Sequence, residues 1–185
     1  MRKLSSAAAI IILGLAACGS PDPSDEAGAE PVQPEAAASP QRTVAALRNA
    51  EGESVGTATA TESGGAVAIS LTVQGLSPGE HGVHVHQAGR CEGPKFESAG
   101  GHWNPGADQH GLDNPAGQHA GDMPNLTVGN DGTGSLEYTL EGASLSGLLD
   151  ADGAAFVVHA GRDDQKTDPS GDSGDRIACG TFGAS

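Results

Sequence analysis

The sequence predicts an all-β chain, an antiparallel sandwich or barrel carrying two long functional loops. Val67, Ile69, Leu71 and Val73 alternate with Ala68, Ser70 and Thr72, the two-residue period of a half-buried strand. Short β-like runs recur at 43–48, 54–61, 66–74, 81–87, 134–140 and 154–159. Turn signals stand between several of them: Glu51-Gly52, Gly64-Gly65, Ser77-Pro78-Gly79 and Asp131-Gly132. The spacing of an amphipathic helix is almost absent.

The chain opens with the layout of a secretory leader. Arg2 and Lys3 precede a short apolar run from Ala7 to Leu15, too short for a lasting membrane span. The run ends in Leu15-Ala16-Ala17-Cys18, which resembles a bacterial lipobox, so residues 1–17 read as a lipoprotein signal peptide and Cys18 as the lipidation site. The expected location is the periplasm, with the protein held to a bacterial membrane through Cys18. Residues 18–41 are rich in Pro, Ala and acids and hold no aromatic residue, so they cannot bury enough apolar surface to order themselves. They read as a disordered tether. Residues 42–185 remain as one domain.

The chain holds 9 basic and 24 acidic residues, a net charge of −15, and loses two cations with the leader. Such a balance argues against nucleic acid or anionic lipid as a binding partner. Three cysteines is an odd number. With Cys18 lipidated, Cys91 and Cys179 remain in a compartment that permits disulfides.

Two stretches do not read as strand: 88–123 and 160–175 are long, polar and rich in Gly, Asp and His. His84 and His86 sit in a strand candidate, where residues two apart share a face, so both imidazoles can approach one metal while Val83 and Val85 face the core. His102, His110, His119 and Asp122 fall close together in the first loop. Three His and one Asp make a complete four-coordinate donor set for zinc, the closed kind that is structural rather than catalytic. His159 ends the apolar run 154–158, where a strand delivers it to the side of the first pair. Imidazole suits copper as well as zinc.

The runs Gly82-Val-His-Val-His86, Ala99-Gly-Gly-His-Trp-Asn-Pro105, Gln118-His-Ala-Gly-Asp122, Val157-Val-His159 and Arg176-Ile-Ala-Cys-Gly180 resemble the signature blocks of the copper/zinc superoxide dismutases. They recur in that family's order, and the resemblance spans residues 43 to 183. It implies a Greek-key barrel that binds copper through His84, His86, His102 and His159, and zinc through His102, His110, His119 and Asp122. His102 bridges the two metals. Asp163 is placed as a carboxylate linking a copper-ligand His to a zinc-ligand His, and Cys91–Cys179 as the disulfide that ties the metal loop to the last strand. The seventh histidine, His81, reads as structural.

The implied activity is oxidoreductase chemistry: superoxide becomes dioxygen and hydrogen peroxide at the copper centre. Zinc has no accessible redox change, so copper does the chemistry and zinc organises the loop. His102 and Arg176 carry the catalytic roles, His102 by handing over a proton and Arg176 by holding the anion beside copper. Arg162 and Lys166 are the other cations near the second loop, against Asp164, Asp168, Asp172 and Asp175. Asp175 adjoins Arg176 and is expected to weaken its field. Two other readings stand beside the enzyme: a metal-binding lipoprotein without activity, and a structural sandwich with a zinc-stapled loop. The intact copper set and Arg176 favour the enzyme. Monomer and homodimer both remain open, and the Asn125-Leu126-Thr127 glycosylation pattern reads as coincidence.

Overall fold

A computed structural model describes residues 41–183. The expected leader (1–17), nearly all of the expected tether (18–41) and Cys18 lie outside the described residues. Nine strands form: β1 (Arg42–Asn49), β2 (Ser54–Ser63), β3 (Ala66–Val73), β4 (Gly79–His81), β5 (Val83–His86), β6 (Leu126–Val128), β7 (Gly134–Glu141), β8 (Ala155–His159) and β9 (Arg176–Thr181). Among the described residues one α-helical turn, α1 (Leu145–Leu148), is capped by Ser144, whose Oγ accepts the Gly147 N–H at 3.1 Å.

Every ladder is antiparallel. The strand order is β4-β6-β7-β3-β2-β1-β9-β8-β5. The chain leaves β3 for β4 and returns through β6 to β7 beside β3, which is the Greek-key connection. The two outermost strands, β4 and β5, are joined by Gly82 alone. Residues 79–86 therefore pair with β6 in their first half and with β8 in their second, and the sheet nearly closes into a barrel. Gly82 belongs to the same seam: its N–H donates to Gly161 O, and its carbonyl accepts from His159, both at 2.8 Å. A Cβ there would stand 2.8 Å from the Ser173 Cβ, so the bend needs glycine.

Local sequence explains the frame. Gly64 and Gly65 make a two-residue hairpin between β2 and β3 with φ of 64° and 85°, the left-handed pair that a type I′ turn requires. The alternation in β3 buries Val67, Ile69, Leu71 and Val73. β5 and β8 differ, being buried on both faces. Phe156 and Val158 enter the barrel core, while Ala155 and Val157 face a second cluster with Phe96, Ala99 and Cys179. The loops cover these strands from outside, and that cover buries His84 and His86.

Most expected strands form within two residues of their predicted ends. The expected run 81–87 is broken by Gly82, and the short strand β6 appears where only a glycosylation-like triplet was read. Cys91 and Cys179 form the disulfide, with Cα atoms 5.7 Å apart, and pin the first loop to β9. Replacing both cysteines by serine should lower unfolding free energy by about 2–5 kcal/mol, because the cross-link restricts the unfolded chain. Urea titration of the double variant measures this; an unchanged midpoint at equal slope would contradict it.

Candidate metal centre

The barrel presents one face of β5 and the end of β8, and the two loops fold over them. Val85 sets the register. Its carbonyl accepts the Trp103 N–H at 2.8 Å, and its N–H donates to Gly121 O at 3.0 Å. Bridge pairing then places His102 beside His86 and Asp122 beside His84. Gly121 is required at this contact, since a Cβ would lie 2.4 Å from Val85 O. His84, His86, His102, His110, His119, His159, Asp122 and Asp163 are all buried in one cluster.

Four of these imidazoles point a nitrogen at one another. The ligand atoms of His84, His86, His102 and His159 lie within 4.8 Å of each other. Their inward nitrogens, His84 Nδ1, His86 Nε2, His102 Nε2 and His159 Nε2, are buried with no hydrogen-bond partner. The outward nitrogens are fixed. His84 Nε2–H donates to Asp163 Oδ2 at 2.6 Å, His86 Nδ1–H to Gly100 O at 3.0 Å, and His159 Nδ1–H to Gly174 O at 3.1 Å. Because each partner is an acceptor only, the inward nitrogen carries the lone pair. Burial holds His84 down at about 3 and His159 at about 4, and pushes His86 well below the ordinary histidine range. Buried neutral nitrogens left without partners are costly, and a transition-metal ion satisfies all four.

The second cluster shares His102. His102 Nδ1 stands 2.9 Å from Asp122 Oδ1, His110 Nδ1 3.1 Å and His119 Nδ1 3.4 Å. His119 Nδ1 is also 3.4 Å from His102 Nδ1. Four donors about 2.0–2.1 Å from a tetrahedral zinc stand roughly 3.3 Å apart, so the spacing fits. His84, His102, His110 and Asp122 also lie within 4.8 Å of one another. His84 is the poorer fourth member, because its Nε2 is held by Asp163. Asp122 Oδ2 accepts the backbone N–H groups of Gly111 and His119, at 2.9 and 3.0 Å. Burial would raise its pKa, but His102, His110 and the Gly111 N–H together hold it far below the carboxylate range.

Asp163 joins the clusters. Beyond His84, its Oδ1 takes His110 Nε2–H at 3.1 Å and the Gln165 N–H at 2.6 Å. Burial opposes protonation of His110, yet its bonds to Asp122 and Asp163 raise its pKa to about 9. The ring lies between two carboxylates that favour its protonation. Gly171, at φ 61°, closes over this spot, where a Cβ would lie 1.7 Å from Asp163 Oδ1. The two ring nitrogens of His81 face the carbonyls of His159 and Ser77, at 2.7 and 2.9 Å, rather than the metal cluster.

Arg176 lies at the edge of the first cluster. Its Nη1 donates to Phe96 O at 2.7 Å and its Nη2 to Gly100 O at 2.6 Å, the carbonyl that also orients His86. Burial lowers the guanidinium pKa, and the Glu97 carboxylate acts against that. A cleft of about 520 Å³ opens onto His86, His102, His159 and Arg176, with Asp108 and Asp168 on its wall. Arg162 pairs with Glu80 at 3.1 Å, and neither it nor Lys166 lines the cleft. Sequence reading gave no role to Gly100 or Gly171, and it named Asp168 only as a loop acid, not as the group whose Oδ1 accepts the His110 N–H at 2.8 Å. Only Gly100 carried a signal, by its place in the Ala99-to-Pro105 run.

A sequence model of the family "Copper/zinc superoxide dismutase (SODC)" matches residues 54–182. The chain is 44% identical over 144 residues to "Superoxide dismutase [Cu-Zn] 2" of Aquifex aeolicus, covering 75% of this chain and 84% of that one. It is 39% identical to the "Superoxide dismutase-like protein YojM" of Bacillus subtilis over 98% of this chain and 96% of that one. Among solved structures it resembles the Cu/Zn superoxide dismutase from Brucella abortus, with a TM-score of 0.65 and 29% identity over 77% of this chain and 100% of that one. The chain belongs to the copper/zinc superoxide dismutases, a family of oxidoreductase enzymes.

Proposed function

We propose that the chain dismutes superoxide at a copper held by His84, His86, His102 and His159, with His102 bridging to a zinc that His110, His119 and Asp122 complete. Copper and zinc are the cofactors of this family. The observation that carries the reading is the set of four buried, unpartnered imidazole nitrogens facing one point, three of them on rings fixed from behind by acceptors. Bound copper supplies one-electron oxidation and reduction, which zinc cannot. In balance, two superoxide anions and two protons give one dioxygen and one hydrogen peroxide.

The chain's own residues do the rest. Arg176 attracts and orients the anion in the cleft, its guanidinium held by two backbone carbonyls. It is the sole cation lining that cleft, so on an acidic protein it supplies the local positive field. His102 can hold a proton at Nε2, the nitrogen that faces the cleft side of the pair, and release it to product. Asp163 keeps the rings of His84 and His110 in place. The leader and the Leu15-Ala16-Ala17-Cys18 run support a periplasmic lipoprotein anchored through Cys18.

Three outcomes check this reading. Arg176→Ala should keep copper and zinc stoichiometry and slow superoxide decay, and Arg176→Glu should slow it further. The loss should shrink with salt, since exposed charges are screened over about 10 Å at about 0.1 M. Stopped-flow decay on fully metallated protein measures both, and equal rates for wild type and Arg176→Glu at low salt would refute the role. Zinc binding at pH 7 should release about one proton, because a group with a pKa of about 9 is protonated there and must lose that proton to bind metal. Calorimetry in buffers of different ionisation enthalpy reads this, and no proton release would show that His110 holds no proton for zinc to displace. Cys18→Ser should move the protein out of the membrane fraction at unchanged specific activity; a wild-type protein already soluble would count against the anchor.

A further inference from the structure

We propose that Asn125 is a positioning residue for the metal centre, acting through the backbone of Asp163. Its side-chain oxygen accepts the Asp163 N–H at 2.8 Å, and its Nδ2 donates to the Asp163 carbonyl at 2.9 Å. The amide thus clasps both polar groups of one residue across a sequence gap of 38. Asn125 directly precedes β6, where Leu126 is buried and pairs with His81 in the barrel wall. Asp163, by contrast, lies in the loop 160–175. The clasp therefore fixes a loop residue to the rigid frame.

Position matters at Asp163 more than at its neighbours. Its carboxylate must reach His84 Nε2 at 2.6 Å and His110 Nε2 at 3.1 Å at once, and it fills the space that a side chain at Gly171 would need. Hydrogen bonds weaken steeply when such distances grow, so a backbone displacement would release one ring or the other. The two rings belong to different clusters, and Asn125 thereby sets the relation between them. The Asn125-Leu126-Thr127 triplet keeps its asparagine for this clasp rather than for a glycan.

The inference rests on the zinc assignment above, and the test separates the two. Zinc affinity of the full chain is measured by competition with a chromophoric chelator for wild type, Asn125→Ala, Asp163→Ala and the double variant. Outer partners of metal ligands typically change affinity by 10–100-fold. Asn125→Ala should weaken zinc binding by about tenfold, and Asp163→Ala by at least as much. In the Asp163→Ala background, Asn125→Ala should add little, because the two act as one unit. Asn125→Asp keeps an oxygen for the Asp163 N–H and carries the same cycle if Asn125→Ala does not fold. Unchanged affinity in Asn125→Ala, or a full tenfold effect surviving in the Asp163→Ala background, would overturn the inference. A wild-type chain that binds no zinc would overturn the zinc assignment and this inference with it.

Discussion

Burying a histidine places both ring nitrogens out of water, and six histidines share one small volume here. That demand organises the rest of the structure. One nitrogen of His84, His86 and His159 is tied to Asp163, Gly100 or Gly174, and each tie settles which nitrogen keeps its lone pair. The rings are thus oriented by protein groups as well as by whatever ion they hold. His102 has no such tie to a carbonyl; its nitrogens face the two clusters, one each. The loops exist in this form because they must supply those acceptors while covering β5 and β8.

The same carbonyl of Gly100 serves two masters, His86 and Arg176. Gly100 sits at φ 75°, and a Cβ there would stand 2.9 Å from Gln87 Cγ. A side chain at this position would disturb ring and guanidinium together. The Arg176 guanidinium is thus fixed to the same backbone atom as the His86 ring. On a chain of net charge −15, a cation placed so firmly is a local exception to the overall charge.

Much of this was legible in the sequence, for identifiable reasons. The β3 alternation and the Gly64-Gly65 hairpin are local signals, and local signals survive into the fold. The histidines could be grouped because His84 and His86 share a strand face and His102, His110, His119 and Asp122 crowd one loop. What could not be read is what depends on tertiary approach. The role of Gly171 follows from a carboxylate that arrives from eight residues upstream in a folded-back loop. Asn125 looked like a stray triplet because its partner lies 38 residues away. Glu97, which acts on Arg176 from 79 positions upstream, could not be picked out for the same reason.

The joining of β4 to β5 through Gly82 has a further consequence. An open sheet of nine strands would end in two rows of unpaired amides, ready to recruit a strand from another molecule. Here both ends fall on one stretch of chain, with β6 on one side and β8 on the other. Little template is left for strand addition. A protein crowded with its own kind would gain from such closure, because collisions between copies would find little edge on which to begin an aggregate.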